Sequence, residues 1–128
     1  MVIVGAGCLV ASILLAGCCG SPSASCPTHK IQFTQNTGCL NDGSFEFCIP
    51  ADDPAALAEV LAIAPQTQCV RSSGRARCDT KTQVLCMVET TGMCRADLPD
   101  AMNDDGWRTV CDLAVLPFVR EIVATWYE

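Results

Sequence analysis

The chain has 128 residues, a formal net charge of −6, eleven cysteines and a single histidine. That length suits one small domain. Its scattered cations in an acidic chain exclude a phosphate-gripping nucleic-acid binder, which needs clustered Lys and Arg. Cysteine at this density belongs to an oxidising compartment rather than to the reducing cytosol.

Every charged side chain lies at Lys30 or beyond. Ahead of it, Val2 to Leu15 is an apolar run of Val, Ile and Leu interspersed with small residues. It has the composition of a signal-peptide core and is too short to span a bilayer comfortably. The run ends in Leu15-Ala16-Gly17-Cys18, and this ending resembles the lipobox of bacterial lipoproteins. The resemblance covers only the first 18 residues. It implies a diacylglyceryl group on the Cys18 sulfur, cleavage before Cys18 and acylation, with a palmitate-type chain, of the new N-terminus. Two or three acyl chains make a durable anchor where one holds only marginally. The signal departs from the usual pattern in having no Lys or Arg at its head, which leaves an upstream start open. A plain secretory signal is the first competing reading. The second is a dinucleotide-binding strand, because Val2-Ile3-Val4-Gly5-Ala6-Gly7 is followed by Ala11. That fold needs an acidic ribose ligand about 20 residues on, and no acidic residue precedes Asp42.

The chain therefore divides into a signal peptide (1–17), a lipidated Cys18 with a small-residue tether (18–25) and a cysteine-rich globular domain (26–128). The domain holds Cys26, Cys39, Cys48, Cys69, Cys78, Cys86, Cys94 and Cys111, an even set that fits four disulfides. Cys8 leaves with the signal, and Cys19 is the odd thiol on the tether. Eight cysteines allow 105 connectivities. Hairpin chemistry narrows them. A type II′ turn at Gly43-Ser44 sets Cys39 opposite Cys48 at a close, non-hydrogen-bonded pair, and a Ser73-Gly74 loop does the same for Cys69 and Cys78. Cys86 and Cys94 flank a third turn at Thr90-Thr91-Gly92, which leaves Cys26 and Cys111 to tie the ends together. An interleaved pattern, with bridges crossing between hairpins, competes closely. Zinc is the other use of cysteine, but these eight contain no short Cys-x2-4-Cys knuckle, so no metal is expected.

Asp53 and Pro54 read as the N-cap and first residue of a helix. Leu57, Val60, Leu61 and Ala64 follow as one apolar stripe, and Pro65 stops it. Gln83 to Val88 is the best strand. Gly106-Trp107 opens a second helix with Val110, Leu113 and Ala114 on one face. Pro117 disfavours helix at Leu116, which predicts a kink or a further short helix from Pro117 to about Trp126. The fold class is α+β: a small disulfide-rich domain of short antiparallel hairpins with two or three helices.

Four groups are candidate sites. His29 is the only imidazole and reads best as a solvated side chain. Asp52 and Asp53 are a carboxylate pair that helix capping already explains. Asp97, Asp100, Asn103, Asp104 and Asp105 precede Gly106 in an acidic loop. With Ala101 as position 1 it partly matches a calcium loop, but alanine cannot ligate and position 12 is Asp112 rather than Glu. Arg71, Arg75 and Arg77 could grip an anion, yet the expected hairpin puts Arg71 on one face and the other two on the opposite face.

These readings favour a membrane-anchored, disulfide-stabilised lipoprotein of the bacterial cell envelope, with the outer membrane as the expected location. Its role would be structural or binding rather than enzymatic. Membrane contact is through lipid on Cys18, a protein partner is of unknown identity, and neither cofactor nor nucleic acid is implied. A secreted inhibitor or ligand-binding module is the alternative, which an Arg75-bearing loop outside the disulfide mesh would favour. A carboxylate-dependent hydrolase ranks third. Thiol counting on the unfolded mature protein should find at most Cys19 free, and several free thiols would overturn the oxidised framework.

Overall fold

The computed structural model describes residues 25–126, so Cys8, Cys18, Cys19 and the signal and lipidation assignments lie outside the described residues. Strand β1 (Ser44–Pro50) sets the architecture. Its residues alternate, so Phe45, Phe47 and Ile49 point to one side of the sheet and Glu46 and Cys48 to the other. It pairs antiparallel along its whole length with β3 (Gln83–Glu89), in a register that sets Phe45 against Val88, Phe47 against Cys86 and Ile49 against Val84. The short strand β2 (Gln68–Val70) pairs with the outer side of β3, and β4 (Ile122–Ala124) pairs with the free side of β1. The sheet order is β2-β3-β1-β4, antiparallel throughout.

Two helices cover the phenylalanine face. Helix α1 (Pro54–Ile63) starts as the sequence predicts: the Asp53 carboxylate accepts the Ala56 N–H at 3.0 Å, and Pro54 occupies the first turn. Helix α2 (Asp104–Val115) is capped by Asn103, whose Oδ1 accepts the Gly106 N–H at 2.7 Å. Val60 from the first and Ala64 at its C-terminal cap, with Val110, Leu113 and Ala114 from the second, join Phe45, Phe47, Ile49, Val88 and Ile122 in one buried cluster. Each large apolar side chain fully buried there contributes about 1.5–3 kcal/mol. The α+β class is as expected: a four-stranded antiparallel sheet, two helices and four disulfides.

Several details differ from the sequence reading. The apolar stripe of α1 is narrower than periodicity suggests. Ala56, Val60 and Ala64 are buried along an i, i+4, i+8 line, while Leu57 and Leu61 remain 37% and 36% exposed. The segment after Pro117 is not a helix but ends in strand β4. Its β-branched Ile122 and Val123 suit a strand, and β1, which carries two fully buried phenylalanines, needs a partner for the backbone groups on its outer side.

The disulfides correct the hairpin scheme most. Cys39 joins Cys94 rather than Cys48, Cys48 joins Cys78, and Cys69 joins Cys86 rather than Cys78. Only Cys26–Cys111 matches the simple scheme; the other three follow the interleaved one. The turn chemistry was real but not sufficient. Gly43 has φ +104 and its N–H donates to Asn41 Oδ1, yet only the residues after it form a strand. A local 39–48 hairpin would occupy one side of β1. The seven-residue pairing with β3 uses that backbone instead and aligns two apolar faces. Cys69 and Cys86 are then directly opposite in the β2–β3 register. Four bridges in a domain of this size belong to an oxidising, extracytoplasmic compartment. Non-reducing peptide mapping should recover Cys26–Cys111, Cys39–Cys94, Cys48–Cys78 and Cys69–Cys86; a Cys39–Cys48 peptide would refute this register.

Candidate functional site

The second face of the sheet, bearing Glu46, Cys48, Leu85 and Met87, carries no helix. The segment 71–82, which links β2 to β3, folds back over it. Three features hold it there. Gly74, at φ +60, lies against Leu85 so closely that a Cβ would sit 2.5 Å from the leucine Cδ2. The Cys48–Cys78 bridge ties the segment to β1. Between these two points, the Glu46 carboxylate accepts the backbone N–H groups of Arg75 and, at 3.2 Å, Ala76. Glu46 is 3% exposed. A carboxylate buried to that degree is tolerable only when its oxygens are hydrogen-bonded, and bonds to a charged acceptor contribute about 1.5–3 kcal/mol.

This loop is the most basic part of an acidic chain. Arg71, Arg75, Arg77 and Lys81 are half of the eight cations in the sequence. Arg71 donates to the Thr80 carbonyl and Arg75 Nε donates to the Trp126 carbonyl at 3.2 Å, so both are spent on holding the loop. Arg77 has φ +58. A bulky L-residue in the left-handed region costs about 1–2 kcal/mol. Arg77 lines a recess of about 150 Å³ together with Cys48, Ala76, Gln83, Arg120 and Glu121. The expected separation of Arg71 from Arg75 and Arg77 on a flat hairpin does not apply, because the segment is a folded loop and not a strand pair.

Two further recesses flank the sheet. A groove of about 580 Å³ between α1 and the β2 side is lined by Ile49, Pro50, Leu57 and Val84, with Asp52 and Asp53. A polar recess of about 390 Å³ is lined by Asp42, Gln66, Gln68, Glu89 and Thr91.

The other predicted residues are dispersed. His29 is exposed on a single 3-10 turn (Thr28–Lys30). Its neighbour Lys30 donates from Nζ to the Ala114 and Leu116 carbonyls at 2.9 and 3.3 Å, capping the end of α2. Asp53 caps α1, as above. The acidic loop does not wrap a cation-sized space: Asn103 is the helix cap, and Asp104 to Asp112 are already helical. Among the described residues no group of three or more His, Cys, Asp or Glu side chains could hold a metal ion. Asp97 pairs with Arg95 at 2.6 Å, and the hydrogen bond from that guanidinium holds its carboxyl below the usual range; both are well exposed. Glu46 and Arg120 were missed by the sequence reading. For Glu46 the signal was present, since it shares its face with Cys48 by simple alternation. For Arg120 there was none, because its neighbour Arg77 is far away in sequence.

No protein-family model, curated protein or solved structure matches the chain.

Replacing Glu46 with Gln removes the charge-assisted acceptor while keeping shape. The variant should lose about 1.5–3 kcal/mol in urea denaturation, with faster amide exchange at Arg75 and Ala76. Unchanged exchange at those two amides would remove Glu46 from its anchoring role.

Proposed function

We propose that the protein is a lipid-anchored, extracytoplasmic binding domain held at the bacterial cell envelope through Cys18, with the outer membrane as the favoured location. The observation that carries this reading is the lipobox-like Leu15-Ala16-Gly17-Cys18 placed eight residues ahead of Cys26, a cysteine bridged to α2. Fully extended, residues 19–25 reach at most ~25 Å, so a lipid on Cys18 would keep the domain close to the bilayer. The bridge would pass any pull on the tether to the central helix rather than to a frayed terminus.

The way the polar groups are used supports binding over catalysis. The eight cysteines from Cys26 to Cys111 are all oxidised in bridges and so supply no thiolate. Glu46 holds backbone amides, Asp53 caps a helix and His29 stands in solvent. The rigid, cation-bearing loop 71–82 is the surface best suited to a partner. A secreted inhibitor would be favoured by Arg75 on a loop outside the disulfide mesh. Arg75 instead sits between the Cys69–Cys86 and Cys48–Cys78 bridges, with its backbone tied to Glu46.

Intact-mass analysis of the native protein from membranes should show Met1 to Gly17 missing and lipid on Cys18, and Cys18→Ser should abolish incorporation of labelled palmitate. A water-soluble product retaining an unmodified Cys18 would sink the anchoring claim.

A further inference from the structure

We infer that the recess between Arg77 and Arg120 is a binding site for a carboxylate monoanion, presented by a small acid or by the end of a polypeptide. Most of the arginines are already engaged. Arg71 and Arg75 donate to the Thr80 and Trp126 carbonyls, Arg95 pairs with Asp97, and Arg108 lies 3.4 Å from Asp105. Among the described residues, Arg77 and Arg120 alone have guanidinium groups with neither a hydrogen bond nor an ion pair. Both line the same recess of about 150 Å³.

The backbone adds a second observation. Arg77 takes a left-handed conformation that favours glycine, and conformations of this kind persist where the structure around them fixes a functional side chain. The turn is held on one side by the Arg77 N–H bonding to the Gly74 carbonyl at 3.3 Å, and on the other by the Cys78 N–H bonding to the Ser73 carbonyl at 2.8 Å. The Cys48–Cys78 bridge fixes the next residue to the sheet. A long cationic side chain is therefore carried on a rigid base where a glycine would sit more easily.

Charge sets the ligand class. Arg77, Arg120 and Glu121 are the charged residues that line the recess, and together they carry a single net positive charge. A monoanion balances it, whereas a phosphate dianion would face Glu121 with charge to spare. A planar carboxylate also matches the donor fork of a guanidinium. Gln83 supplies a further donor, because its Oε1 already accepts the Asp79 N–H at 2.8 Å and its amide NH2 is left for the ligand.

The inference rests on reading the 71–82 loop face as a binding surface. It is tested on the full chain in non-ionic detergent, with arginine side chains labelled for NMR and titrated with acetate, with a tetrapeptide free acid and its amide, and with inorganic phosphate. Acetate should shift the Arg77 and Arg120 Nε–H signals and leave those of Arg95 and Arg108 in place. Arg77→Gly and Arg120→Gln should each weaken binding about tenfold or more. Arg77→Gly should leave Tm unchanged or raise it, because it relieves the left-handed backbone; Arg77→Lys, which keeps the charge and loses the fork, should also weaken binding and covers the case of a glycine variant that does not fold. A free-acid peptide binding more tightly than acetate, with its amide inactive, would assign the carboxylate to a polypeptide end; equal affinities would assign it to a small acid. Equal shifts at every arginine, undiminished affinity in Arg77→Gly or Arg77→Lys, or phosphate binding more tightly than acetate would each overturn the assignment. A photoreactive group at Lys81 separates the two levels. Crosslinking of a cell-surface partner without any carboxylate binding would remove the recess and leave the binding surface standing, and failure of both would remove both.

Discussion

Strand β1 is the constraint on which the rest depends, because it is buried from every direction. Phe45, Phe47 and Ile49 close the helical core on one face. Glu46 and Cys48 hold the 71–82 loop on the other. Its two backbone edges pair with β3 and β4. A strand so placed has no water to satisfy stray polar groups. Each neighbour must therefore arrive in register, and that requirement overrides the local preferences of the segments around it. It explains why residues 122–124, which can be drawn with helical spacing, become a strand. It also explains why two well-formed turn sequences do not produce hairpins of their own.

This defines what the sequence could reveal. Features specified by neighbours along the chain were legible: the Asp53-Pro54 start of α1, the strand from Gln83 to Val88, which extends one residue further to Glu89, and the disposition of the eight cysteines as an oxidised set. Features specified by distant residues were not. Cys39 is 55 residues from its partner Cys94, and nothing in the spacing of either distinguishes that bridge from a local one. The width of the α1 stripe was invisible for the same reason, since periodicity identifies a face but not how much of it the rest of the fold covers. The candidate site lay in between. The arginine cluster was visible as composition, but its geometry depends on Glu46, on Gly74 closing over Leu85, and on Arg120 arriving from the segment after α2.

The bridges and the apolar core do different work. In a chain-entropy picture, Cys26–Cys111, with a separation of 85 residues, restricts the unfolded chain by ~4.6 kcal/mol, while Cys69–Cys86, with a separation of 17, restricts it by ~3 kcal/mol. Local need runs in the opposite order. Cys26 leads into a segment that is also held by the Lys30 bonds to the end of α2 and by Gln32 pairing with Ile122 at 2.9 Å. Strand β2 is three residues long, forms an edge of the sheet and exposes two of its three side chains. Packing alone gives such a strand little reason to stay. The Cys69–Cys86 bridge fixes it to β3 directly.

That bridge and Cys48–Cys78 pin the arginine loop, one just before it and one within it. Together with Glu46 they convert a twelve-residue connection (71–82), a length that is usually mobile or functional, into a fixed surface. The loop is not held by all of its cations, since the Arg77 guanidinium makes no bond within it. Its anchors are a carboxylate, two cystines and a glycine contact, and only Arg71 and Arg75 add bonds of their own. If loop order were all that mattered, position 77 would be better filled by glycine, which carries no penalty at φ +58. An arginine there, lining the same recess as a second unengaged arginine, is a local conflict in an otherwise consistent structure, and such conflicts are expected where a surface is shaped for something other than its own stability.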